Sequence, residues 1–140
     1  MHPQRYDEYI RRFNEQDFTA FDDFLTPDMH MQNGGLKYRG VQAMKDHYAK
    51  IWGKFKETLT VQRFVSDETS LAVHLRARFD VLVDDPAALF GSVRKGEVFE
   101  YDGVIMYEIE NGKFKDIKVA YLSFTRTDLN GVEHSLGLAH

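Results

Sequence analysis

The chain has 140 residues, enough for one domain with a sizeable core, and 14% of them are aromatic, which suits a deep core or an apolar pocket. Its net charge of −4 argues against a nucleic-acid-binding surface, and no segment is long and apolar enough to span a membrane. Because the chain has no cysteine, disulfides, thiolate nucleophiles and cysteine-based zinc sites are excluded, and an N-terminus without an apolar signal region makes a cytoplasmic protein the expectation.

The first third of the chain predicts three helices with one short strand between the second and the third. A first amphipathic helix is expected over roughly residues 4–15, since its apolar residues recur at helical spacing. Asp17 is the expected N-cap of a short second helix that Pro27 brings to an end. A strand over residues 28–32 and a turn follow before Gly40 opens the third helix. The apolar stripe of that helix consists of Val41, Met44, Tyr48, Ile51, Trp52 and Phe55.

The rest of the chain predicts strands only. They cover residues 58–65, 70–83 and a long hairpin within 97–124, with residues 84–96 as an insertion between the long strands. The order of elements favours an α+β fold, in which a curved antiparallel sheet carries the helices on one face. We expect a single domain over residues 1–140, with residues 125–140 as a flexible or lid-forming tail.

The hairpin turn is predicted at the dipeptide Asn-Gly, residues 111–112, which fits a two-residue loop. Such a loop pairs Glu110 with Lys113 and, if the ladder stays regular, Asp102 with Tyr121 on one face. The opposite face is apolar, and we expect a homodimer to cover it. Its proposed outer members are Tyr101, Ile105, Tyr107, Ala120, Leu122 and Phe124.

Three segments resemble the nuclear-transport-factor-2-like superfamily, specifically its SnoaL-like branch. They are FLTPDMHMQNGG, YRGVQAMKDHYAKIW and ENGKFKDIKVAY, and the resemblance extends over nearly the whole chain. It implies a cone-shaped curved sheet with three N-terminal helices packed on its concave face and a pocket between sheet and helices. Members of this superfamily include isomerases, dehydratases, cyclases, hydrolases and proteins without catalysis, so the fold alone does not name a reaction.

A closer local match is to the limonene-1,2-epoxide hydrolase type within this superfamily. Its Arg-x-Asp pair corresponds to Arg78 and Asp80, and its helper asparagine corresponds to Asn33. The match departs from the family where the last-strand aspartate falls on Val119 and the helper tyrosine on Met31. The resemblance therefore implies the acid-side residues of a hydrolase site, but the base that would activate water is missing.

Four polar residues of the long strands are the candidates for catalysis. Asp80 and Asp102 would be the acid and base pair, Arg78 would orient the first of them, and His74 would transfer protons near neutral pH. The alternative follows from the alternation of polar and apolar residues. His74, Arg76, Arg78 and Asp80 are spaced two apart, and the apolar residues between them can face the core instead. The charged set would then face solvent or a dimer partner.

The candidate substrate-binding residues are those that would line the open cone, namely Met31, Asn33, Tyr48, Trp52 and Tyr121. Bulky aromatic residues around a few polar groups suit an apolar ligand of polyketide or terpenoid type. We therefore expect an enzyme that needs no metal or organic cofactor and works by cyclisation, isomerisation, dehydration or epoxide opening. The alternative is a non-catalytic ligand-binding or dimerisation module of the same fold.

Overall fold

The computed structural model describes residues 1–137 and shows three helices, as the periodicity predicts. They are α1 (Pro3–Asn14), α2 (Thr19–Phe24) and α3 (Val41–Ala49). The N-cap of α2 is Phe18 and not Asp17 as predicted, although the Asp17 carboxylate accepts a hydrogen bond from the Thr19 backbone N–H at 2.9 Å. The third helix is shorter than its apolar stripe, because Phe55 belongs to the following strand.

Nine strands form the rest of the structure. They are β1 (Leu25–Asn33), β2 (Leu36–Arg39), β3 (Phe55–Ser66), β4 (Ser70–Val81), β5 (Asp85–Ala88), β6 (Gly91–Val93), β7 (Val98–Glu110), β8 (Lys113–Thr127) and β9 (Glu133–Ser135). The main sheet has the order β2-β1-β8-β7-β4-β3, with β9 paired to β8, while β5 and β6 form a separate two-stranded sheet. The α+β class is confirmed, and the curved sheet is not closed into a barrel.

The prediction of a purely antiparallel sheet is wrong, because β1 lies parallel to β8. This pairing is available because the long segment from α3 through β7 separates the two strands along the chain. The short strand β2, which the sequence analysis missed, pairs antiparallel with β1 at the edge of the sheet. The sheet is therefore mixed.

The hairpin turn is confirmed, but the register expected beyond it is wrong. Asn111 and Gly112 both have positive φ, 50° and 75°, which defines a two-residue hairpin turn, and Glu110 pairs with Lys113. Two irregularities then shift β8 against β7, so that Asp102 pairs with Ser123. Each extra residue turns the following side chains to the other face of the strand.

The core lies between the concave face of the sheet and the helices. Fully buried aromatic rings from helices and strands meet there, and the ring centroids of Tyr9 and Phe114 lie 5.0 Å apart. Deep in this layer the hydroxyl groups of Tyr6 and Tyr107 share a buried hydrogen bond of 2.7 Å. The core thus combines many aromatic rings with aliphatic side chains and holds a buried pair of hydroxyl groups.

The outer face of the sheet differs from the predicted apolar one. Tyr101, Ile105 and Tyr107, which were expected on it, are buried on the concave side instead. The residues that alternate with them in β7 face outward, and Met106 among them is 48% exposed. The outer face therefore has few large apolar side chains among many charged ones.

Two parts of the tail predicted over residues 125–140 belong to the main sheet. Residues 125–127 continue β8, and residues 133–135 form β9, which pairs back onto them. The Asp128 carboxylate holds the connecting turn by accepting hydrogen bonds from the backbone N–H groups of Asn130 and Val132. Residues 138–140 lie outside the described part of the chain.

Candidate active site

A buried carboxyl group marks the interior of the fold. Strand β3 alternates, so that Phe55, Glu57 and Leu59 point to the concave side while Lys56 and Thr60 face outward. Glu57 is only 3% exposed. A strand position that normally carries an apolar side chain thus carries an acid.

Glu57 borders a small enclosed cavity between the sheet and the helices. The volume of this cavity is about 30 Å³, which one water molecule would fill. Its lining combines aromatic, aliphatic and a few polar side chains from two helices and four strands. They are Tyr9, Phe13, Met31, Asn33, Met44, Tyr48, Glu57, Leu59, Tyr101, Ile105, Tyr107, Ile117 and Val119.

Burial sets the protonation state of Glu57. Removing the carboxyl group from water disfavours its charged form and raises its pKa from 4.5 to about 8, against a smaller opposing effect of the nearby Trp52 indole N–H. Within residues 1–137, neither Glu57 Oε1 nor Trp52 Nε1 has a hydrogen-bond partner of good geometry. Near neutral pH the cavity therefore holds a protonated carboxylic acid with an unused oxygen.

Phenol groups surround this acid. Burial raises the pKa of Tyr9, Tyr48 and Tyr101 well above 10, and a charge on Glu57 would raise each of them further. These tyrosines stay neutral and can donate hydrogen bonds from their hydroxyl groups. Burial also raises the pKa of Tyr121, while a hydrogen bond with Asn33 lowers it. The site thus offers several neutral donors around one acid that can lose its proton.

The predicted substrate-binding residues lie at or beside this cavity. Met31, Asn33 and Tyr48 line it directly. Tyr121 is half-buried next to Asn33, and Trp52 lies beside Glu57, stacked on the Phe21 ring at 5.8 Å. Val119, which stands where the related hydrolases carry their last-strand aspartate, is also in the lining.

The predicted catalytic residues lie elsewhere, on the outer face of the sheet. In β4 the alternation buries Val73, Ala77 and Phe79, so Arg78 and Asp80 point outward and pair with each other at 3.0 Å. Of the two facings that the sequence left open, the structure shows the second, with these side chains on the outer face. The phase of the strand decides it, since apolar residues two apart take the core side.

The other outward pair is His74 with Asp102. His74 Nε2 is hydrogen-bonded to Asp102 Oδ1, and Arg76 Nε lies 3.5 Å from the other carboxylate oxygen. Tyr121, expected beside Asp102, points to the interior because of the shift in β8. The structure thus brings the four candidates together as two separate pairs outside the cavity.

Glu57 is the residue that the sequence analysis missed. Its signal is visible in the chain: Phe55, Glu57, Leu59 and Val61 are spaced two apart, and an acid in the apolar phase of a strand predicts either a bulge or a functional carboxyl group. The predicted strand begins at residue 58, whereas β3 begins at Phe55, so the prediction leaves Glu57 outside the strand.

The described residues 1–137 contain no cluster of three or more histidine, aspartate or glutamate side chains placed to hold a metal ion. Over the same residues, no helix combines the length and apolar character needed to cross a membrane.

Comparison with known proteins agrees with the resemblance seen in the sequence. The SnoaL-like domain family matches residues 6–117 of the chain, and no curated protein sequence matches it. Solved structures of low sequence identity share the fold. An LEH-like epoxide hydrolase of M. tuberculosis is 12% identical, with a TM-score of 0.67 over 91% of this chain and 83% of that one.

Two further solved structures are similar to a comparable degree. A putative polyketide cyclase of Pseudomonas putida KT2440 is 20% identical, with a TM-score of 0.67 over 90% of both chains. SalBIII, an epoxide hydrolase/cyclase-like enzyme with a role in pyran ring formation in the polyether salinomycin, is 18% identical, with a TM-score of 0.66 over 90% of this chain and 89% of its own. With the family match covering most of its length, the chain belongs to the SnoaL-like domain family.

Proposed function

We propose that the protein is a cofactor-independent enzyme that rearranges a small, largely apolar molecule by general acid–base catalysis, with Glu57 as the proton-transferring group. The observation that carries this proposal is the buried Glu57 carboxyl, whose Oε1 borders the interior without a hydrogen-bond partner among residues 1–137. Burying such a group unpaired destabilises the fold, and functional sites are where that arrangement is commonly found.

The chemistry follows from the protonation state. A carboxylic acid with a pKa of about 8 is protonated at neutral pH and can donate its proton to a carbonyl or epoxide oxygen of the substrate. The carboxylate that remains can then take a proton from carbon or from an attacking hydroxyl group, which restores the acid. A positioned acid–base group of this kind accelerates a reaction by about 10²–10⁴-fold.

Neighbouring polar groups can hold the reacting oxygen. Asn33 lines the cavity with Tyr121 beside it, and Tyr48 and Tyr101 are neutral donors within it. Met31 and Trp52 would supply apolar contact surface. Hydrogen bonds from such donors to a developing negative charge lower the barrier of the same step.

The known proteins support the class of reaction. An epoxide hydrolase, a putative polyketide cyclase and an enzyme of pyran ring formation share this fold. Such transformations are compatible with proton transfer at oxygen or carbon of an apolar molecule. We therefore place the substrate of this chain among polyketide- or terpenoid-like compounds of secondary metabolism, with cyclisation, isomerisation or epoxide opening as the reaction.

The test compares the interior acid with an outer one. Purified wild type, Glu57→Gln and Asp80→Asn are each incubated with limonene-1,2-epoxide, cyclohexene oxide and 3-cyclohexenone, and the diol or conjugated product is measured by gas chromatography. We expect turnover by wild type and Asp80→Asn, and a loss of about 10²-fold or more in Glu57→Gln. A Glu57→Gln variant that keeps wild-type turnover would contradict the proposal. Loss of turnover in Asp80→Asn alone would mean that the catalytic acid lies on the outer face.

A second candidate is a ligand-binding or dimerisation module without catalysis, and the small volume of the cavity, which leaves no room for a substrate in this conformation, favours the dimerisation form. A space of about 30 Å³ is far below the ~300–1,000 Å³ of typical small-molecule sites. Titration of wild type and Glu57→Gln with the same three compounds, followed by the fluorescence of Trp52, separates the two candidates. Equal binding by both variants with no product from either supports the module.

The homodimer through the outer sheet face stays a prediction. That face carries two exposed apolar side chains, Val65 and Met106, of which Val65 is 55% exposed. Both residues pair with Ala72, which lies between them on β4. Sedimentation equilibrium at micromolar concentration should show twice the 16.3 kDa of one chain. A single species at the monomer mass would rule the dimer out.

A further inference from the structure

The insertion between the two long strands ends in an unusual hairpin tip. Strands β5 and β6 are joined by Leu89 and Phe90, since Ala88 pairs with Gly91. Leu89 is 50% exposed, whereas the Phe90 ring turns towards the concave face of the main sheet and packs on the core. A tip of this kind brings one aromatic ring into the interior from a segment outside the main sheet.

The Phe90 ring lies in a slot formed by four other phenylalanine rings. The centroid of Phe90 is 5.5 Å from that of Phe55, 5.0 Å from Phe79, 4.8 Å from Phe99 and 5.1 Å from Phe124. These four residues belong to four different strands of the sheet, so the main sheet itself builds the slot. Distances of this size are those of favourable aromatic contacts.

The slot lies close to the cavity that Glu57 borders. Phe55 precedes Glu57 by two residues on the same face of β3. The ring of Phe79 lies 6.2 Å from that of Tyr101, which lines the cavity. A ligand ring in place of Phe90 would therefore lie on the same side of the sheet as the buried acid, with the side chains of Phe79 and Tyr101 between the slot and the cavity.

We propose that this slot is the ring-binding subsite of the enzyme and that Phe90 fills it until a ligand takes its place. The ligand would carry a planar aromatic ring for the slot and an oxygen substituent that reaches Glu57. This inference rests on the proposed function, because it names the substrate class of the same site. It also explains how a cavity of about 30 Å³ can serve a real substrate, since the space of a displaced phenyl ring is added to it.

The hairpin can move without breaking the main sheet. Strands β5 and β6 pair only with each other within the described residues. The ion pair between Lys54 Nζ and Asp85 Oδ2, 2.7 Å long, ties the hairpin to the residue that precedes β3; the Lys54 side chain is half-exposed and the Asp85 side chain is mostly buried. Val93 of β6 is buried in the core, so the base of the hairpin is anchored and only its tip would need to move. A cavity of about 300 Å³ between the hairpin and the C-terminal end of α3 leaves room beside the tip.

The test measures binding of 2-naphthol, a planar ring with one hydroxyl group, by isothermal titration calorimetry. Phe90→Ala empties the slot, and Leu89→Ala is the matched control because it shortens the neighbouring, exposed tip residue. If Phe90 fills the slot most of the time, its removal should tighten binding by about tenfold or more relative to wild type. Leu89→Ala should bind as wild type does.

A second measurement uses the wild type and does not depend on how well a variant folds. The nuclear Overhauser effects between the Phe90 and Phe99 rings, which are 4.8 Å apart, should disappear as 2-naphthol saturates the protein. Persistence of these effects at saturation, or a folded Phe90→Ala variant that binds no better than Leu89→Ala, would overturn the inference.

The double variant Phe90→Ala with Glu57→Gln separates this inference from the proposed function. We expect it to keep the tighter binding of 2-naphthol, because the slot is made of phenylalanine rings only. Tight binding by Phe90→Ala, together with a wild type that turns over none of the epoxide or ketone substrates, would leave the subsite standing and remove the catalytic proposal. Loss of tight binding in the double variant would refute the slot as an independent ring site.

Discussion

Replacing Glu57 by glutamine should change how the stability of this protein depends on pH. Glutamine keeps the shape of the side chain but cannot ionise. In the wild type, the pKa of the buried Glu57 is about 8, whereas the same group in the unfolded chain has its ordinary value of 4.5. The unfolded state therefore releases the Glu57 proton at a lower pH than the folded state does.

The sign and size follow from this difference. Below pH 4.5 both states are protonated and Glu57 has no effect on the pH dependence. Between pH 4.5 and about 8 only the unfolded chain ionises, so the free energy of unfolding falls by about 1.4 kcal/mol per pH unit. The stability lost by the time the pH passes the folded-state pKa is about 5 kcal/mol, which is a large part of the stability of an ordinary domain.

Urea unfolding at a series of pH values from 4 to 9 measures this effect. The difference in unfolding free energy between Glu57→Gln and wild type should grow in favour of the variant by several kcal/mol across that range, because contributions of all other groups cancel. Glu100→Gln is the matched control, since Glu100 lies half-exposed on the outer face. Parallel curves for wild type and Glu57→Gln would refute the reasoning, for they would mean that Glu57 titrates alike in both states.

Four further substitutions test the packing and the facing of the strands. Asp80→Asn and Asp102→Asn each break a pair on the outer face of the sheet. Each should change the unfolding free energy by about 1 kcal/mol or less and leave turnover intact. A large loss of activity in either variant would show that the outer face carries the reaction. Tyr107→Phe leaves the buried hydroxyl of Tyr6 without its 2.7 Å partner and should destabilise the protein by about 1–3 kcal/mol in urea unfolding, whereas no change would mean that water replaces the bond. Gly103→Ala places a methyl group 2.7 Å from a backbone carbonyl oxygen of β8 and should lower the melting temperature, with a loss of about 1–3 kcal/mol; an unchanged melting temperature would show that the strands separate easily there.

Local rules of the sequence predicted the elements well where one physical cause dominates. Helical spacing located α1 through Tyr6 and Phe13, and the preference of Asn111 and Gly112 for positive φ located the hairpin turn. The family resemblance predicted the fold class and an interior lined by Met31, among other residues. These predictions succeed because spacing and turn chemistry act within a few residues of each other.

The facing of the polar residues was decided by the tertiary structure. A single extra residue in β8 reverses every side chain beyond it, and the sequence does not mark where the partner strand will accept such a bulge. For this reason Tyr121 points inward, away from Asp102, whereas Asp80 and Asp102 point outward because the apolar residues of their own strands take the core side. The position of the Phe90 ring was also decided by the tertiary structure. This ring lies on a hairpin tip and is half-buried only because rings from four strands of the main sheet pack around it.

By itself, the amino-acid order determined the helices, the strands, the hairpin turn and the membership of a known fold. It also placed an acid at position 57 in the apolar phase of a strand. Only tertiary packing decided that this acid is buried, stays protonated and lies close to an aromatic slot. The reason is that desolvation depends on every chain segment that closes around the group.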